Sequence, residues 1–113
     1  MKKKEIRVRC WVDIESVKFF GPGRAELLTL IEKSGSISKA AKAMGMSYKK
    51  AWGMIDEMNT AGQKPYVISK AGGKKGGGAE LTDTGKKVVN AYNKLISKIN
   101  SIVDKETELL KLI

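Results

Sequence analysis

A mainly α-helical fold with a small β component, in the α+β class, is predicted by three observations on the 113-residue sequence. Two short helical patterns follow one another across a three-residue turn, Gly45-Met46-Ser47. Two strand-like runs then flank a glycine- and lysine-rich segment, and from Asp83 onward apolar residues recur at heptad spacing.

Taken in order, Ile6, Val8, Cys10, Val12 and Ile14 alternate with Arg7, Arg9, Trp11 and Asp13, the period-2 pattern of a half-buried strand. Phe20-Gly21-Pro22-Gly23 breaks the chain, and Ala25, Leu27, Leu28, Leu30 and Ile31 mark a first helix that stops at Ser34-Gly35. Ser36-Ile37-Ser38 offers cap serines to a second, short helix with Ile37, Ala40, Ala41 and Met44 on one face, ended by Gly45. Ser47 caps a third helix whose buried stripe is Ala51, Met54, Ile55 and Met58, closed by Gly62. Two short helices so joined have the layout of a helix-turn-helix.

Tyr66–Ser69 and Ala79–Thr82 read as the strands of a hairpin with a long basic tip, Gly72–Gly78, which turns the motif into a winged helix-turn-helix. Beyond it the sequence reads as helical to its end. With Tyr92 at heptad position a, Ile99 and Ile113 repeat that position and Glu106 interrupts it; Leu95, Ile102 and Leu109 take d, and Ile96, Val103 and Leu110 take e. A stripe this wide is too apolar for a helix half in water and calls for a partner, a second copy being the simplest. The expected organisation is one domain: residues 1–82 form the winged unit, with a recognition helix at about 47–61 and the wing at about 66–82, and residues 83–113 form the dimerisation helix.

Composition narrows the function. A chain that is 42% hydrophobic and 30% charged buries a core, and its net charge of +10 favours polyanions. The excess is uneven: Met1–Arg24 and Ala61–Gly78 carry +4 each, the latter without an acid. Cys10 is the sole cysteine and histidine is absent, which excludes an intrachain disulfide, a Cys/His zinc site and a histidine base. Arg7, Arg9 and Asp13 interrupt any signal-peptide core after Lys2-Lys3-Lys4, and no stretch approaches the about 18 apolar residues of a membrane span, so a cytoplasmic location is expected. Neither Lys74 nor Lys86 is followed by Ser or Thr, so the nucleotide-binding loop pattern is not met. Asp83-Thr84-Gly85 matches the aspartic-protease triplet, but Thr82 followed by an acid is better read as the cap of the last helix. No catalytic residue, cofactor, metal or small-molecule effector is expected.

The third helix carries the candidate reading surface. Opposite its buried stripe lie Lys49, Gly53, Asp56 and Thr60, with Tyr48 and Trp52 on the flank. Lys49 and Lys50 fall at the N-terminal turn, where recognition helices reach base edges. Gly53 costs a helix interior about 1 kcal/mol, which close approach to DNA would explain. Tyr48 and Trp52 fit either a core position under the wing or a DNA-facing one. Ser38, Ser47, Lys70, Lys74 and Lys75 complete the candidate DNA contacts, the last three as phosphate ligands of the wing. Double-stranded DNA is the expected partner; a non-specific architectural binder is the alternative.

The segment Ser36-Ile37-Ser38-Lys39-Ala40-Ala41-Lys42-Ala43-Met44-Gly45-Met46-Ser47-Tyr48-Lys49-Lys50-Ala51-Trp52 resembles the N-terminal DNA-binding domain of the molybdate-responsive ModE family, itself similar to the LysR-type winged helix-turn-helix. Met58-Asn59, the glycine-rich wing and Leu81-Thr82-x-x-Gly85 extend the resemblance from about Ile6 to Leu95. It implies a transcription regulator that dimerises through its terminal helices and binds a pseudo-palindromic operator. Members that sense molybdate do so through additional C-terminal domains, and nothing here maps onto them, so molybdate is not expected to bind this chain. Either sensing is lost or another partner supplies it.

Overall fold

The computed structural model describes residues 2–70 and 78–113. Its elements run β1 (Val12–Ile14), β2 (Val17–Phe20), α1 (Pro22–Ser34), α2 (Ile37–Ala43), α3 (Tyr48–Ala61), β3 (Val67–Lys70), β4 (Gly78–Leu81), α4 (Asp83–Asp104) and α5 (Glu108–Leu112). This is a winged helix-turn-helix: three helices in succession, an antiparallel β3–β4 hairpin and a long helix behind them.

Local chemistry sets the helix ends. Pro22 opens α1 at a position whose N–H would have no partner, and Gly35 closes it in the left-handed region at φ 68°. Ser36 caps α2 and Ser47 caps α3, their hydroxyls accepting from the N–H of Lys39 at 3.1 Å and of Lys50 at 3.1 Å. Thr82 does the same for α4 at the Gly85 N–H while donating to Pro65 O. That accounts for Asp83-Thr84-Gly85 as a helix start. Gly85 is further required by space, because a Cβ there would run into the Tyr66 backbone.

The core lies between α1, α2, α3 and the wing, with Leu27, Leu28, Ile31, Ala51 and Met58 fully buried. An aromatic cluster closes one side. Phe20 meets Tyr92 of α4 edge-on at 5.1 Å, and Phe19 and Phe20 meet Tyr66 at 6.0 and 6.4 Å. The wing is tied to α1 by the Ala79 N–H, which donates to Gly35 O at 3.0 Å.

Three readings of the sequence need correction. The strand expected over Ile6–Ile14 is only Val12–Ile14; it is exposed, and it pairs with β2, a strand the sequence reading passed over. The two strands are joined by a turn at Glu15 and Ser16, both at positive φ, with no glycine or asparagine to announce a hairpin, and their register is irregular at Val12–Asp13. Residues before it extend past α4 instead: the Tyr92 hydroxyl donates to Cys10 O at 2.7 Å, and the Lys4 ammonium to Leu110 O at 3.3 Å. Second, the terminal helix is not continuous. It breaks at Lys105–Thr107, where the Glu106 carboxylate accepts from the Leu109 N–H at 2.9 Å, so Leu109 and Leu110 sit on the separate α5 and leave the heptad register. Third, Tyr92, assigned to a dimer seam, is 7% exposed and occupied by the core of its own chain, with Ile96 packed beside it. No helix among the described residues is long and apolar enough to cross a membrane.

Candidate nucleic-acid interface

At about 100° per residue, the side chains of α3 divide into a buried stripe, two flanks and an outward side. Ala51, Ile55 and Met58 are buried. Lys50 and Glu57 share one flank, on which Glu57 pairs with Arg24, whose other guanidinium nitrogen donates to Phe19 O at 2.7 Å. The opposite flank carries Tyr48, Trp52 and Asn59 and faces the wing.

Asn59 fixes that flank to the wing. Its amide nitrogen donates to Val67 O at 2.9 Å, and its amide oxygen accepts from the N–H of Tyr66 at 2.8 Å and of Val67 at 3.2 Å. One side chain thus satisfies three backbone groups at the root of β3 and ties α3 to the wing. In the sequence Asn59 is marked only by the family resemblance at Met58-Asn59. The available signal was its position seven residues after Trp52, two helical turns along the same flank.

Between α3 and the wing runs an open cleft of about 290 Å³, lined by Ser36, Ser38, Tyr48, Trp52, Ile68 and Ser69 among others. The two positions left open for the aromatics are now distinguished: Tyr48 is 51% and Trp52 47% exposed, so neither is a core residue. Ile68 on β3, 45% exposed, faces the same cleft and was not singled out from sequence. Lys49 and Gly53 are exposed on the outward side, and a Cβ at Gly53 would meet nothing within 4 Å. No internal contact therefore requires a glycine there.

The other candidates that lie among the described residues sit at the starts of α2 and α3, at the end of β3 and on the terminal helices. Ser47 is spent partly on capping α3, Ser38 is exposed in the first turn of α2, and Lys50 is exposed at the start of α3. Lys70 ends β3, exposed and opposite Gly78. Lys74 and Lys75 lie outside the described residues. On α4, Leu95 and Ile102 are exposed, 42% and 72%, while Ile99 and Val103 are half-buried. Leu109 is exposed and Leu110 half-buried on α5.

No protein-family model matches the chain. Curated relatives do. The Azotobacter vinelandii molybdenum transport protein ModE is 45% identical over 87 residues, 77% of this chain and 32% of that protein. The Escherichia coli K12 DNA-binding transcriptional dual regulator ModE is 47% identical over 77 residues, 68% of this chain and 29% of its own length. The Rhodobacter capsulatus molybdenum-pterin-binding protein MopB is 41% identical over 92 residues, 79% and 34%. The chain thus spans about a third of the length of the relatives it matches. Its regulator homologues are transcription factors, not enzymes, and the chain is homologous to the N-terminal region of the ModE regulators.

Proposed function

We propose that this chain is a sequence-specific DNA-binding transcription regulator of the ModE type that acts in the cytoplasm and binds a pseudo-palindromic operator as a homodimer. The observation that carries the reading is the α3 surface: a capped helix with Lys49 and Lys50 at its exposed N-terminal turn, an unobstructed Gly53 one turn on, and a wing held beside it by Asn59. Such a helix enters the major groove with its N-terminal residues at base edges while the wing approaches phosphates. The net charge of +10 supports it, as does the regulator named among the relatives.

The homodimer rests on α4. Leu95, Ile99, Ile102 and Val103 form a stripe that continues past Tyr92, which the core of the same chain absorbs, and a second copy would cover it. Two recognition helices would then address half-sites about one helical turn apart or a multiple of it. Domain boundaries follow: residues 1–82 are the reading unit and 83–113 the dimerisation segment, with Lys70, Lys74 and Lys75 holding phosphates.

Selection of bound fragments from random duplex DNA tests this reading. A recurring motif with two-fold related halves is expected. Fragments with no common motif would contradict a specific regulator, and a motif without symmetry would contradict the dimer.

A further inference from the structure

Resting on the reading of α3 as a recognition helix, we propose that Tyr48 and Trp52 form an apolar surface that reads the 5-methyl groups of thymine in the major groove. The two side chains stand four residues apart on one flank of α3, about half exposed, and Ile68 extends the patch across the cleft. Single exposed aromatics are ordinary on a protein surface; three large apolar side chains converging on one cleft are not. The buried core does not account for them, since neither Tyr48 nor Trp52 is a member of it.

The surroundings identify the occupant. Lys49 and Lys50 beside the patch and Lys39 and Lys42 on α2 are all exposed, so the field at the cleft suits a polyanion. Within the major groove the thymine methyl is the apolar feature among hydrogen-bonding groups.

What α3 lacks points the same way. From Ser47 to Glu57 it contains no arginine for a bidentate contact to guanine and no asparagine or glutamine for one to adenine. The asparagine it does have, Asn59, has its amide engaged with the backbone of Tyr66 and Val67. Lysine is a point charge with poor geometric discrimination. Apolar contact is therefore a discriminating chemistry that this helix offers beside its exposed Lys49, Ser47 and Asp56.

The test uses the intact chain and the duplex site obtained by selection, with thymines replaced one at a time by deoxyuridine, which removes the methyl group and nothing else. At contacted positions the affinity should fall about fourfold per methyl, the value of one buried carbon. Trp52→Ala, at an exposed position, should leave the fold intact by circular dichroism, bind the thymine site more weakly, and lose the distinction between thymine and uracil. Tyr48→Phe should retain it. A selected site that outcompetes random DNA but is indifferent to every uracil substitution overturns methyl reading and leaves the regulator intact. Stronger binding to the single strand than to the duplex overturns methyl reading in favour of base stacking, and the absence of any selected site removes both readings.

Discussion

At Gly53 the fold and the proposed activity make opposite demands. A helix interior favours alanine over glycine by about 1 kcal/mol, and the position has room for a Cβ. Gly53→Ala should therefore raise stability in urea unfolding by about 0.5–1 kcal/mol while weakening binding to the selected site, because the added methyl projects where the groove approaches. A gain in stability with unchanged affinity would remove Gly53 from the interface. Asn59 is the reverse case, a residue whose value is internal. Asn59→Asp keeps the acceptor for Tyr66 and Val67 but leaves Val67 O facing a carboxylate, and a cost of about 1–3 kcal/mol is expected in chemical denaturation. Tyr92 gives the molecule an alkaline limit. Burial pushes its phenol above the ordinary value near 10, Cys10 adding to the effect, and burial does the same for Tyr66. The unfolded chain then releases the proton first, so this contribution is complete below about pH 10 and is lost as pH rises through the folded value. Tyr92→Phe, which cannot ionise, should show a weaker fall in stability above pH 10. An identical alkaline profile would contradict that assignment.

At the scale of elements, capping and periodicity made α1, α2, α3 and the wing strands legible, since serines, prolines and glycines stood where the backbone needs them. The β1–β2 hairpin was not legible because Glu15 and Ser16 adopt positive φ without the usual turn residues, and because the alternation at Ile6–Ile14 does not reveal that β1 is exposed on both faces. The break at Lys105–Thr107 escaped for a different reason: heptad spacing continues through it, and the hydrogen bond from the Leu109 N–H to the Glu106 carboxylate is a local choice that periodicity does not sense. In the site, the outward positions of Lys49 and Gly53 followed from helix geometry, whereas Ile68 and the Asn59 clamp depend on where the wing comes to lie. The aromatics were ambiguous because an amphipathic flank borders both core and solvent. The α4 stripe carries its own expectation. Glutamate at Ile99 and Ile102, beyond the Tyr92–Ile96 contact, should leave the fold unchanged by circular dichroism and shift sedimentation from dimer to monomer at micromolar concentration. A wild-type chain already monomeric there would exclude the dimer.

For the molecule as a whole, charge and shape act together. On the proposed reading, the positive field would supply affinity for any DNA in proportion to the phosphates neutralised; that affinity would fall steeply with salt and could not by itself choose a site. Choice would require the α3 surface, doubled by two-fold symmetry in the proposed dimer. The most direct measurement is the ratio of dissociation constants for the selected duplex and for random duplex of the same length, taken at one salt concentration near physiological. A specific regulator should prefer its site by a factor of about 10³ or more. Equal affinity for both duplexes would make the protein an architectural DNA binder and contradict the reading role of α3.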